Sequence, residues 1–162
     1  MKFGLSLKIS LTSSLLSSRI STFPSSRLAS CVYSSQFDEA TEFEKATVEL
    51  FQDVFGFEAR HVGPIGLTPD VLLLSDENGY QAILDNKAYH KYTINNDHYN
   101  RMVHNYIGNI INYSKSDKPL AFFSYIAGGF GGSIDKQLRN IADAGNLADP
   151  ILAVIAPFQS RF

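Results

Sequence analysis

Two apolar runs, "VLLLS" at 71–75 and "YQAILDNKAY" at 80–89, stand on either side of "DENG" at 76–79. An Asn-Gly pair between such runs is the strongest short-range hairpin signal a chain can carry, so the centre of this sequence is committed to two antiparallel strands. With "DENG" as a four-residue loop, Ser75 faces Tyr80 and Asp70 falls opposite Asp85. With Asn78-Gly79 as a two-residue turn, Asp70 meets Lys87 instead. Side chains alternate with period two, so either register leaves Asp70, Asp85 and Lys87 on one face.

That convergence needs a physical reason. Two carboxylates facing each other across a sheet repel, and burying them unpaired costs on the order of several kcal/mol. Something positive belongs between them, and two readings are open. Lys87 alone can satisfy the acids as a structural ion pair. Alternatively, Asp70, Asp85 and the backbone carbonyl of Asn86 supply the oxygen ligands of a hard cation, Mg2+, whose remaining positions take water and a phosphate oxygen. Lys87 would then orient or help deprotonate the attacking water and stabilise charge building on the phosphate.

The remainder of the chain supplies a setting for this hairpin. Phe43, Thr47, Leu50, Phe51 and Val54 recur at helical spacing, with Gly56 placed as a left-handed terminator, which predicts a helix over about 38–55. "FEARHV" precedes a Gly- and Pro-rich loop and reads as a short strand. Past the hairpin, Asn95 and Asn96 are candidate caps for a second helix with Tyr99, Met102, Val103, Tyr106, Ile107 and Ile110 on its inner face. "LAFFSYIA" reads as a buried strand. Ser133 is placed to cap a third helix running through Ala144, and "ILAVIAP" reads as a last strand. The order αβββαβαβ predicts an α/β fold, a mixed central sheet flanked by helices. A chain of 162 residues with 44% hydrophobic content has room for one such core.

Charge and composition narrow the function further. Residues 1–36 contain twelve Ser and no acid. This stretch reads as a disordered or targeting-like leader, with 37–162 as the folded domain. A cytoplasmic location is expected, the leader leaving organelle targeting open. After Phe37, ten basic residues stand against sixteen acidic ones, a net of −6, so this part is poorly suited to holding a polyphosphate by charge alone, and a nucleic-acid role would need metal ions or a tethered partner. No apolar run is long enough for a membrane span. The single Cys31 excludes a disulfide framework and a Cys-rich zinc site. Glu44, beside the apolar stripe of the first helix, is a candidate additional acid for the metal site, against the more ordinary reading of an acid near a helix N-terminus. His61, His90, His98 and His104 show no metal-ligand spacing and read as solvated or capping residues. "GGFGGS" lacks the Lys of a P-loop.

At these residues a resemblance enters. "TPDVLLLSDENGYQAILDNKAY" resembles the PD-(D/E)XK nuclease signature, with Pro69-Asp70 as the PD and Asp85-Asn86-Lys87 as the D-x-K. More narrowly, "FEKATVELFQDVFGF", "RHVG", "DNKAY", "NDHYNRM" and "GGFGGSIDKQLRNI" occur in the order of the FokI-type cleavage domain of type IIS restriction endonucleases, over roughly residues 38–145. The resemblance implies a restriction-endonuclease-like core and non-specific, Mg2+-dependent cleavage of double-stranded DNA, with Asp70, Asp85 and Lys87 as metal-binding and catalytic residues. It also implies a transient homodimer paired through Asp97 and Arg101, and an address supplied by a separate DNA-recognition domain or subunit. Two departures are visible: the segment between the PD and the D-x-K is short, and the expected closing helical region does not follow "ILAVIAP". Two alternatives to the restriction reading remain at this point: a standalone repair or resolvase-type nuclease, and a non-catalytic dimerisation module of the same fold.

Overall fold

The computed structural model describes residues 37–147 and 153–154. The leader assigned to 1–36 and most of "ILAVIAP" lie outside the described residues. Helix α1 (Phe37–Asp53) is followed by β1 (Glu58–His61), β2 (Val71–Ser75) and β3 (Tyr80–Lys87). A helical segment then comes in three parts: α2 (Asn96–Asn100), a π-helix (Arg101–Ile107) and α3 (Ile110–Ser114). Strand β4 (Leu120–Ala127), helix α4 (Ile134–Ala144) and strand β5 (Ala153–Val154) complete the order. The sheet runs β1-β2-β3-β4-β5. Its β1, β2 and β3 are antiparallel neighbours, whereas β4 joins β3, and β5 joins β4, in parallel. The mixed sheet is thus the one expected from the element order.

The hairpin takes the four-residue register. Ser75 pairs with Tyr80 and Val71 with Leu84, so continuing outward by one residue sets Asp70 opposite Asp85. Gly79, at φ 69°, donates its N–H to the Ser75 carbonyl at 2.9 Å, a left-handed position that glycine adopts without strain.

Both faces of the sheet are covered, which is why β2 reads as a continuous apolar run. On one face, Phe43, Ala46 and Phe51 of α1 pack on Val71, Leu73, Ala82 and Leu84. Burying each of those Phe rings contributes about 2–3 kcal/mol. On the other, Met102, Val103 and Tyr106 from the π-helix and Leu138 and Ile141 from α4 pack on Leu72, Ile83, Phe123 and Tyr125. Helix α1 ends as its sequence predicts: Gly56 sits at φ 72° and the Phe57 N–H returns to the Phe51 carbonyl at 3.0 Å, the double-bonded glycine terminus of many helices.

Two local expectations need correction. The second helix is not uniformly α: the Gly108 N–H reaches the Val103 carbonyl at 3.0 Å, five residues back. Residues 102, 103 and 106 turn inward under either helical period, so their spacing could not reveal the wider turn. Ser133 stands at the start of α4 but its hydroxyl makes no capping bond; only its carbonyl enters the helix, accepting from Gln137 N at 3.1 Å. Asn95 does cap α2, its side chain accepting from His98 N at 2.8 Å. Among the described residues, no helix is long and apolar enough to cross a membrane.

Candidate active site

Topology gathers the site at one end of the sheet. Strand β3 ends at Lys87 and its parallel neighbour β4 ends at Ala127 beside it, while antiparallel β2 begins here and β1 finishes here at His61, paired with Val71. The carboxyl ends of parallel strands are where open α/β sheets leave a crevice for ligands. Asp70, Asp85 and Lys87 therefore meet at this end, as their alternation predicts.

Their surroundings are unequal. Lys87 Nζ lies 2.8 Å from Asp85 Oδ2, with the two side chains 14% and 4% exposed. Asp85 thus has a cation of its own. Asp70 Oδ2 accepts the backbone N–H of Asn86 at 2.6 Å, and the Asp70 carbonyl is held by the N–H groups of Val62 and Gly63 at 2.9 and 3.2 Å. Burial, then the charge of Asp85, then that of Glu44 push the Asp70 carboxyl up from 3.8 to about 8, against the smaller opposing pull of Lys87 and the Asn86 N–H. The repulsion falls on Asp70 because Lys87 is committed to its neighbour.

Glu44 belongs to this site. It comes from α1, on the opposite face of the sheet, and reaches round the end of the strands. Its Oε2 lies 2.5 Å from His61 Nε2, both side chains being 21% exposed. Glu44 is thus more than an acid near a helix N-terminus, its carboxylate being turned toward Asp70 at this end of the sheet, and His61 is neither solvated nor a cap. Gly63 stands between the acids: a Cβ there would lie 3.4 Å from both Asp70 Oδ1 and Glu44 Oε2. The bare glycine keeps a small space open between two carboxylates.

Asn86, a backbone ligand in the sequence reading, also uses its side chain. Its Nδ2 donates to Thr47 Oγ1 at 2.6 Å and reaches the Phe43 carbonyl at 3.3 Å, tying β3 to the turn of α1 that carries Glu44. On the other face, His98 Nδ1 and Tyr92 Oη are 2.9 Å apart. Burial and then the Lys87 charge lower the His98 imidazole, while burial and then Asp85 push the Tyr92 and Tyr125 hydroxyls up. No period in the sequence ties His61 or His98 to Asp70 and Asp85; each is delivered by a different element.

The donor set suits a hard divalent cation. It offers carboxylates short of positive charge, a glycine gap between two of them, and the Asn86 carbonyl, which in an extended residue projects to the same edge as the N–H that Asp70 receives. Among the described residues no group of three His, Cys, Asp or Glu side chains forms a ready cage, so water and substrate oxygens would complete the shell, as Mg2+ prefers. Asp97 and Arg101 are absent from this cluster. They pair with each other on the outside of the helical segment, Nε to Oδ2 at 2.9 Å, 63% and 54% exposed respectively.

A mixed sheet with two aspartates and a lysine at its carboxyl end is the arrangement that the resemblance to PD-(D/E)XK nucleases implies. Comparison with known proteins makes this specific. The family model described as FokI, cleavage domain, matches residues 8–156, and the chain belongs to that family. It is 29% identical over 120 residues to the type II restriction enzyme StsI of Streptococcus sanguinis, an alignment covering 67% of this chain and 19% of StsI. Its fold matches the structure of restriction endonuclease FokI with a TM-score of 0.68 at 20% identity, over 88% of this chain and 28% of FokI. It also matches FokI bound to DNA, with a TM-score of 0.64 at 18% identity, over 85% and 27%. The chain thus spans about a fifth to just over a quarter of the length of these relatives.

Proposed function

We propose that this domain hydrolyses phosphodiester bonds of double-stranded DNA without sequence preference, using Mg2+, with Asp70, Asp85 and Lys87 as its catalytic residues. The observation that carries the reading is the meeting of these three side chains with Glu44 at the open end of the sheet. A bound divalent cation would supply Lewis acidity and lower the pKa of a coordinated water. Asp70, Asp85 and the Asn86 carbonyl would hold it. Lys87, fixed by Asp85 at 2.8 Å, offers ammonium hydrogens to a non-bridging phosphate oxygen and steadies the charge that develops there. Asn86 N–H keeps Asp70 turned inward.

DNA as the partner is supported by the DNA-bound FokI structure that this fold matches. Target choice by a separate recognition module and cutting as a transient homodimer belong to the same proposal. The apolar residues Met102, Val103 and Tyr106 are spent on the core, so a partner copy would meet the polar outer side, where Asp97 and Arg101 are exposed. The test is conversion of supercoiled plasmid to nicked and linear forms at high protein concentration, in Mg2+ and in chelator. Nicking only in Mg2+ supports the proposal; no nicking in either leaves the non-catalytic module as the better account.

A further inference from the structure

We infer that His61 is a positioning residue of the metal centre, holding the Glu44 carboxylate beside Asp70 so that a third acid faces the cation. This rests on the nuclease reading above. Glu44 is carried by a helix on the far side of the sheet from Asp85 and Lys87, and Asp70 repels it. An unrestrained glutamate in that position would turn out to water. His61 prevents this: as the last residue of β1 it is fixed by its ladder partner Val71, and its Nε2 stands 2.5 Å from Glu44 Oε2. A carboxylate that is to face a cation only accepts, so the bond calls for the tautomer with the proton on Nε2.

The bond leaves Glu44 available to a cation, since a carboxylate has two oxygens and about four lone-pair positions. It is also aimed: the same Oε2 borders the gap over Gly63 that Asp70 Oδ1 borders from the other side. The pair is not needed to fasten α1 to β1. Gln52 Nε2 already donates to the Ala59 carbonyl at 2.9 Å, and Phe43 and Phe51 seat the helix in the core. A hydrogen bond that orients a metal-facing acid, on a contact the packing does not require, is an outer-shell device, and losing such a partner costs about 10- to 100-fold in metal affinity.

The experiment is titration of metal-free protein with Mn2+, the free ion followed by electron paramagnetic resonance, for the wild type and for His61→Ala, His61→Gln, Glu44→Ala, Asp85→Ala and the His61→Ala/Glu44→Ala double variant. Thermal unfolding of each confirms that it is folded. The expectation is Mn2+ binding weakened about 10-fold or more in His61→Ala, mostly restored in His61→Gln, whose amide can still donate to Glu44, and no weaker in the double variant than in Glu44→Ala. Should His61→Ala fail to fold, His61→Gln and Glu44→Ala carry the test, with affinity near wild type expected for the first and weakened for the second. Unchanged affinity in folded His61→Ala, or losses that add in the double variant, would overturn the role of His61 alone. A wild type that takes up no Mn2+, or an Asp85→Ala variant that binds as well as wild type, would overturn the metal centre and this proposal with it.

Discussion

Asp70→Asn should stabilise the metal-free protein above about pH 6 while destroying its response to Mg2+. The Asp70 carboxyl is pushed up from 3.8 to about 8 by burial and by Asp85 and Glu44. Between those values the folded chain holds a proton that the unfolded chain has released, so stability falls as pH rises from about 4 and the penalty is complete above about pH 8. Each pH unit in that window is worth about 1.4 kcal/mol, which sets a ceiling near 4 kcal/mol between about pH 5 and about pH 8. Water entering the open end of the sheet raises the local dielectric, and about 2 kcal/mol is the working expectation. Asparagine does not titrate, and its carbonyl oxygen can still accept the Asn86 N–H that Asp70 Oδ2 accepts at 2.6 Å. The assay is urea unfolding in chelator at about pH 5 and about pH 8, for both proteins. Relative to the variant, wild type should lose stability across that interval and regain it with millimolar Mg2+; the variant should lack that loss and be indifferent to the ion. Parallel pH dependences for the two proteins would show that Asp70 is not the group that titrates.

Asp97→Arg and Arg101→Asp should each lose double-strand cleavage and recover it when mixed, because exposed pairs contribute at most about 1 kcal/mol each and a two-fold axis uses each pair twice; full activity of either variant alone would remove the dimer. Gly63→Ala places a methyl 3.4 Å from both Asp70 Oδ1 and Glu44 Oε2, so cleavage should fall about 10-fold or more with the melting temperature little changed, and an unaffected rate would show that the gap is not used. Gly108→Ala would bring its Cβ to 2.8 Å from the His104 carbonyl and 3.2 Å from that of Val103. Both atoms are backbone and cannot give way, so a loss of about 1–3 kcal/mol should outweigh the roughly 1 kcal/mol that alanine brings to a helix; calorimetry showing a more stable variant would contradict the π-turn.

The hairpin was legible because its information is local: "DENG" places the turn, and a period of two puts the same three side chains on one face in either register. That is why Asp70, Asp85 and Lys87 were named together from the sequence and are found together. The strand "LAFFSYIA" was equally plain and occupies the stretch predicted for it. Glu44 carried two readings in the sequence, an additional acid of the site or an acid near a helix N-terminus, because its approach to Asp70 depends on α1 crossing the opposite face and on His61, seventeen residues away. Asn86 entered as a backbone ligand; that its side chain also grips Thr47 follows from alternation, which turns residue 86 toward α1 as it turns 85 and 87 away. The π-helix was hidden because Met102, Val103 and Tyr106 satisfy either period.

The most direct measurement is the initial rate of plasmid cleavage in saturating Mg2+ for the wild type, Asp85→Ala and Lys87→Ala. Cleavage by the wild type and at least about a 100-fold loss in each variant are expected, since Asp85→Ala removes a ligand of the cation and Lys87→Ala removes the ammonium that meets charge developing at the phosphate. Cleavage by both variants at the wild-type rate would contradict this expectation.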